Sequence, residues 1–281
     1  MHRRVSRKAI PFRKCVMSTI SANSKKVAIV TGAASGVGAA TARLLARKGY
    51  ALLVNYNRSA ALADEVVSDC KSLGADAIAV QGDVSDDAVC RRLAAKALER
   101  WGRIDALVNS AGSTLFVPMS QLDAVDAADF HSIYGINAIG PFQMARAVSP
   151  HMESNSAIVN VSSVAGQTGI GSSFPYVLSK AALNALTVGL SRALAPKIRV
   201  NAVLPGMIEG RWMRDGLGEE AYERVKKQFA ETALLERVAT PDHIAESIGW
   251  LLDPGCLMTG QLMVVDGGAT LGRPPAAAGK S

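Results

Sequence analysis

The chain has 281 residues, 49% of them hydrophobic and 5% aromatic, which is enough for one large domain with a sizeable core. Eight of its 31 basic residues lie within residues 1–26, where there is no acid. The other 23 face 24 acids, so the body lacks the basic stripe of a folded nucleic-acid reader. No apolar run reaches the ~18 residues of a membrane-spanning helix. The four scattered cysteines, Cys15, Cys70, Cys90 and Cys256, form no CxxC pair, which argues against a disulfide framework or a zinc site.

Residues 1–24 form a basic leader with three readings. It is a disordered tail or an upstream stretch ahead of Met17, an organelle transit peptide, or a nucleic-acid-binding arm. Pro11 interrupts any long amphipathic helix, which weighs against the second reading.

From residue 25 the chain alternates strand and helix. Short Val/Ile/Leu-rich runs predict buried strands at 27–31, 51–55, 77–81, 105–109, 157–161, 198–203 and 261–265. Helix-length segments lie at 36–48, 59–73, 86–101, 123–152 (with a break), 175–195 and 241–252. This order predicts an α/β fold: one doubly wound parallel sheet of about seven strands, with helices on both faces, in a single domain over 25–270. Residues 206–240 break the rhythm after a strand end. They contain a charged helix, GEEAYERVKKQFAE, expected either as a solvated surface helix or as a substrate lid. Residues 271–281 are expected as a flexible tail.

The first strand runs into TGAASGVG, a strand–turn–helix with Gly32, Gly36 and Gly38. Such a turn needs positive φ, open backbone N–H groups at a helix start for a pyrophosphate, and close helix–strand packing. A carboxylate about 20 residues on would grip the ribose hydroxyls of NAD. No Asp or Glu occurs between Gly38 and Ala63, and Arg58 follows the second strand in VNYNRS. A guanidinium suits a 2′-phosphate, and one such charged contact is worth ~1.5–3 kcal/mol, or about ten- to hundredfold in affinity. NADP(H) is therefore the expected cofactor, with NAD(H) as the alternative.

SSFPYVLSKAAL places Tyr176 and Lys180 one turn apart on a helix begun by Pro175. Bringing a tyrosine from pKa ~10 to ~7 takes ~4 kcal/mol. A cation ~4 Å away at an effective dielectric near 20 supplies about that much. The pair can therefore serve as a general acid for carbonyl reduction, although Tyr and Lys at this spacing are also common on surfaces. Ser162 and Ser163 end the preceding strand, where a serine can hydrogen-bond a carbonyl or simply make a turn. Asn137 sits within a helical stretch, where a buried asparagine needs partners, a water among the candidates.

Together these residues resemble the short-chain dehydrogenase/reductase family over roughly residues 25–270. The matching pieces are TGAASGVG, GDV at 82–84, NSAG at 109–112, Asn137, the serine at 162/163, YxxxK at 176–180, PG at 205–206 and VDGG at 265–268. The resemblance implies a Rossmann-like fold and an oxidoreductase that interconverts a carbonyl and a secondary alcohol. In that scheme Tyr176 is the acid/base. Lys180 lowers its pKa and binds the ribose hydroxyls, Ser163 holds the carbonyl, and Asn137 holds a water in a proton relay. It also implies cofactor contacts from Gly32, Ser35, Gly36, Val37, Gly38, Asn57 and Arg58, with Asp83 and Val84 flanking the adenine. Asn109, Ala111 and Gly112 line the channel, and Pro205, Gly206 and Ile208 complete the set.

There are two departures from the family pattern. Ser110 stands where a second asparagine is usual, and Gly210 stands where a threonine often contacts the nicotinamide amide. Carrier-protein reductases typically carry basic residues before the serine strand. Here that stretch reads PHMESNSA, so a small free carbonyl or alcohol is expected as substrate. The resemblance further implies a homotetramer packed through the helices around 123–148 and 176–195. No metal, nucleic acid or membrane partner is expected. The cytoplasm is the expected location, or the mitochondrial matrix if the leader is a transit peptide. The competing class is a dinucleotide-binding sensor or scaffold without turnover, which would have no need of Tyr176 or Lys180.

Overall fold

A computed structural model describes residues 25–272, so the expectations for the leader and for the tail beyond Gly272 lie outside the described residues. Seven strands form one wholly parallel sheet in the order β3-β2-β1-β4-β5-β6-β7. They are β1 (Val27–Thr31), β2 (Ala51–Tyr56), β3 (Ala77–Gln81), β4 (Ile104–Asn109), β5 (Met152–Val161), β6 (Ile198–Pro205) and β7 (Leu262–Val265). The winding direction reverses between β1 and β4, which leaves a crevice at their C-terminal ends.

Alternate strand residues serve opposite faces. Ala28 and Val30 of β1 join one core with α1 (Gly36–Arg47), α2 (Ala60–Ser72) and α10 (Pro241–Leu251). Val27 and Ile29 join the other with α3 (Asp87–Trp101), α5 (Gly140–Val148) and the C-terminal end of α7 (Phe174–Leu194). The inner strands are buried on both faces, which explains why the sequence shows runs rather than alternation.

One boundary differs from expectation, for a physical reason. Strand β5 begins at Met152, five residues early. Met152 pairs with Ile104, and the register then shifts before Ala157 pairs with Ala106. Exposed Glu153, Ser154 and Asn155 occupy the irregularity, so the regular apolar run starts only afterwards. The expected break in 123–152 is a single wide π turn, Gly135–Ile139, between α4 (Ala127–Tyr134) and α5. Helix α7 has Pro175 in its first turn, as expected, and Ser173 caps it: the Ser173 hydroxyl accepts from Tyr176 N at 3.4 Å. A short helix, α6 (Ala165–Thr168), precedes it.

The 206–240 segment holds two helices, α8 (Arg211–Leu217) and α9 (Glu219–Thr232), separated by Gly218 alone. Tyr222 and Phe229 of α9 belong to a separate small apolar cluster with Met207 and Val238.

Candidate active site

The glycine turn leaves β1 with Gly32 at φ +61° and Gly36 at φ +55°. A Cβ on Gly32 would lie 2.6 Å from Cα of Ala111, and one on Gly38 2.5 Å from the Gly32 carbonyl oxygen. Both glycines are thus needed for close approach within the protein. A Cβ on Gly36 would meet nothing within 4 Å, so that corner faces open space. Ser35 precedes α1 without a side-chain cap bond, and the first turn holds no acid, which leaves the helix start free for an anion. Ser35 is exposed and Val37 half-buried.

Arg58 is exposed just past β2, with no ion pair among the described residues. Its neighbour Asn57 donates to Asp83 Oδ2 at 3.0 Å, while Asp83 Oδ1 accepts from Ser85 N and Oγ. Val84 turns inward: a Cβ on Gly140 would lie 2.9 Å from its side chain, and its carbonyl accepts from Gln143 Nε2 at 3.1 Å. The Val84 side chain is therefore packed in the core beside α5.

Under the crevice, Thr31 Oγ1 accepts from the backbone N–H groups of Ser110 and Ala111, both at 3.1 Å. This fixes the loop after β4, and Gly112 stands exposed beyond it. Asn109 Nδ2 donates to Asn160 Oδ1 at 2.9 Å, and Asn160 Nδ2 to Thr187 Oγ1 at 2.9 Å. Asn109 Oδ1 is buried without a partner, an acceptor left over at the crevice wall.

Lys180 Nζ donates to the Val161 carbonyl at 2.9 Å and lies 5.6 Å from the centre of the Tyr176 ring. It also lies 3.9 Å from where a Gly112 Cβ would be, so it fronts the crevice. Ser163 hydrogen-bonds Tyr176, and its Oγ accepts from Ala165 N at 3.1 Å. Ser162 instead points into the fold, donating to Asn184 Oδ1 at 2.7 Å.

Burial dominates the electrostatics of the pair. It pushes the Tyr176 hydroxyl above its usual pKa, and the Ser163 hydrogen bond opposes that rise. Burial also pushes Lys180 down to about 8, because a low-dielectric surrounding disfavours the charged form of either group.

Asn137 sits in the π turn, fully buried. Its Oδ1 accepts from Ser113 N at 2.8 Å. Its Nδ2 donates to Ser113 O and Ser179 Oγ, both at 2.9 Å. Ser179 Oγ donates in turn to the Tyr176 carbonyl at 2.7 Å. The amide thus braces the loop after β4 against α7, with both its donors occupied. A π turn is a frequent device at functional sites because it re-aims one side chain without ending the helix.

Pro205 ends β6, buried. A Cβ on Gly206 would lie 2.5 Å from Cζ of Phe229, so α9 seats directly on this loop, and Ile208 bridges to Ala239. Helix α8 places Trp212 over the site. Its ring centre is 6.1 Å from that of Tyr176 and 6.1 Å from that of Phe116. A Cβ on Gly216 would collide with the Phe116 ring, so α8 docks there through a glycine.

Several of these residues escaped the sequence reading. Ser179 lies inside the motif YVLSK, but nothing in the spacing marks it as a brace. Ser113, Phe116 and Trp212 carry no motif, and α8 lacks a capping signal.

The chain as a whole is similar to known proteins. A short-chain dehydrogenase/reductase from Burkholderia xenovorans has a similar structure. Its TM-score is 0.82 and its sequence identity 38%, covering 89% of this chain and 100% of that one. Residues 32–270 match the family model described as Enoyl-(Acyl carrier protein) reductase.

The chain belongs to the short-chain dehydrogenase/reductase family.

As a short-chain dehydrogenase/reductase it is an oxidoreductase of a nicotinamide dinucleotide. Relatives of this dehydrogenase/reductase include a protein designated ketoacyl reductase 2 of the granaticin polyketide synthase of Streptomyces violaceoruber. That protein is 39% identical over 87% of this chain and 96% of its own length. A 3-oxoacyl-acyl-carrier-protein reductase of Staphylococcus aureus is 35% identical over 86% of this chain and 97% of its own. A 7alpha-hydroxysteroid dehydrogenase of Clostridium sardiniense is 36% identical over 89% and 95%. Among the described residues no helix is long and apolar enough to cross a membrane, and no cluster of His, Cys, Asp and Glu suits a metal ion.

Proposed function

We infer that this protein is an NADP(H)-dependent reductase of a small carbonyl compound, working in reverse as an alcohol dehydrogenase. The convergence of Ser163, Tyr176 and Lys180 at the end of β5, beside the glycine turn of β1, carries this reading. When bound, the nicotinamide supplies a hydride to the carbonyl carbon and, once oxidised, a positive charge. The protein's own groups do the rest.

Tyr176 stays protonated at neutral pH, because burial holds its pKa up, and so has a proton to give to the carbonyl oxygen. The Ser163 hydroxyl, which hydrogen-bonds the phenol in the free protein, gives its one donor to the substrate carbonyl oxygen and so orients the acceptor beside Tyr176. Lys180, with a pKa of about 8, is a cation at neutral pH and binds the ribose hydroxyls of the cofactor. Asn137 holds α7 and the loop after β4 in register, so that Tyr176 and Lys180 keep their places.

The open corner at Gly36 and the uncapped start of α1 suit the pyrophosphate. Ser35, Gly36, Val37 and Gly38 offer it backbone N–H groups. Unpaired Arg58 suits a 2′-phosphate, with Asn57 and Asp83 beside it. Asn109, Ala111, Gly112, Pro205, Gly206 and Ile208 line the remainder. Helices α8 and α9 act as the lid. Exposed Tyr134, Ile139, Phe142 and Leu178 on α4, the π turn, α5 and α7 suit the buried faces of a homotetramer.

The deciding experiment is a fluorescence titration with NADPH and with NADH, followed by turnover of a carbonyl panel. NADPH is expected to bind about ten- to hundredfold tighter, with Arg58→Asp reversing the order. Equal binding of both by the native protein would refute the cofactor assignment. Binding without turnover of any carbonyl would refute the reductase.

A further inference from the structure

The chain has only six Phe, five Tyr and three Trp, yet three of these rings meet over the site. Trp212 lies between Phe116 and Tyr176, meeting Phe116 edge-on at 65° and Tyr176 tilted at 54°. Half of its surface remains exposed. On the rim, Ile170 is 76% exposed beside Gly171, where a Cβ would lie 3.4 Å from Tyr176 Cδ1.

The walls around these rings lack charge. Residues 110–122, which follow β4, contain no Asp, Glu, Lys, Arg or His, and neither do residues 162–175, which follow β5. The lid is charged, but its cations are taken. Arg211 pairs with Asp215, Arg214 with Glu219, Arg224 with Glu220, Lys226 with Glu209 and Lys227 with Glu231. Each cation of α8 and α9 thus already faces a carboxylate of its own.

We propose that the site takes an uncharged, flat aromatic carbonyl compound, and that Trp212 and Phe116 are the residues that select it. This rests on the reductase reading above. A flat ring against the exposed part of Trp212 adds edge and offset contacts to area burial, at no cost in rotamer freedom. A saturated ring of the same skeleton gains area alone. A carboxylated one loses hydration and meets cations that already face carboxylates.

The test compares kcat/KM with NADPH for 2-tetralone and 2-decalone, which share a carbon skeleton. 4-Methylcyclohexanone and 4-oxocyclohexanecarboxylate serve as the uncharged and charged pair. 2-Tetralone is expected to be favoured about five- to tenfold. The preference is expected to fall within about twofold in Trp212→Leu and to survive largely in Trp212→Phe, which keeps a ring. Equal or better use of 2-decalone would overturn the proposal. So would an unchanged ratio in Trp212→Leu, or carboxylate turnover matching its methyl counterpart. If no ketone is reduced at all, the reductase reading fails separately, and 2-naphthol then probes the slot by tryptophan fluorescence. Saturable quenching in the native protein that needs several-fold more 2-naphthol in Phe116→Leu supports the slot, and no quenching overturns it.

Discussion

The floor and the lid of the crevice are built on opposite plans. The floor is made of small and polar residues held by several bonds each. Thr31 takes two backbone N–H groups, Asn137 joins three groups, and Lys180 is anchored to the Val161 carbonyl. The lid is made of large rings seated on glycines, with its charges paired along its own exposed surface. Exposed ion pairs add at most ~1 kcal/mol each, so the lid depends on its apolar contacts: the cluster of Tyr222, Met207 and Val238, Phe229 on Gly206 and Phe116 on Gly216. A floor held this way has one geometry, whereas the lid can vary. Chemistry and selectivity are therefore separable in this molecule.

The harshest challenge to that division is Tyr176→Phe. It removes only the hydroxyl, so turnover is expected to fall by about 10²–10⁴ while cofactor affinity holds, as read by steady-state kinetics beside a fluorescence titration. A smaller loss would mean that the floor does not supply the proton. Next comes Lys180→Met. The buried ammonium is disfavoured in the fold, with its pKa lowered to about 8 from an ordinary value near 10.5. The variant is expected to be inactive yet about 2–3 kcal/mol more stable at pH 7 by denaturant unfolding.

The sign follows from proton counting. Between pH 8 and about 10.5 the unfolded chain holds more protons at this lysine, so the native protein gains stability there as pH rises. The gap between native and variant should therefore close across that window. A gap that is constant with pH would remove the charge from the explanation. The mildest change is Gly216→Ala. The new methyl group would displace Phe116 and tip α8, so KM should rise several-fold with kcat and melting temperature nearly unmoved. A matching fall in kcat would show that lid and floor are coupled after all.

The floor was legible in the sequence because its demands are local. A turn needing positive φ shows as glycine, and the approach of Lys180 to the Tyr176 ring shows as one helical turn between them. Strands buried on both faces show as unbroken Val/Ile/Leu runs, so all seven were placed to within a residue or two except β5. The early start of β5 was hidden because Met152 pairs across an irregularity filled by exposed polar residues. The lid was half legible. Helix α9 shows its charge pattern, but α8 owes its position to a ring–glycine contact between residues a hundred apart, which no local pattern encodes. Spacing shows that Lys180 is near Tyr176, but not that burial lowers the lysine to about 8.

The hydrogen-bonded run from Asn109 through Asn160 to Thr187 has a mechanical meaning. Thr187 stands two turns beyond Lys180 on α7, on the same side of the helix, and passes its own proton to the Leu183 carbonyl. Turning α7 about its axis by a single residue would carry Thr187 away and strand the Asn160 amide in a dry interior. Leaving such a group unpaired costs about 1–3 kcal/mol. The run therefore acts as a key in a shaft. It indexes the helix against β4 and β5, so the azimuth of the tyrosine is set by bonds that start at Asn109 in the crevice wall and end two turns along α7.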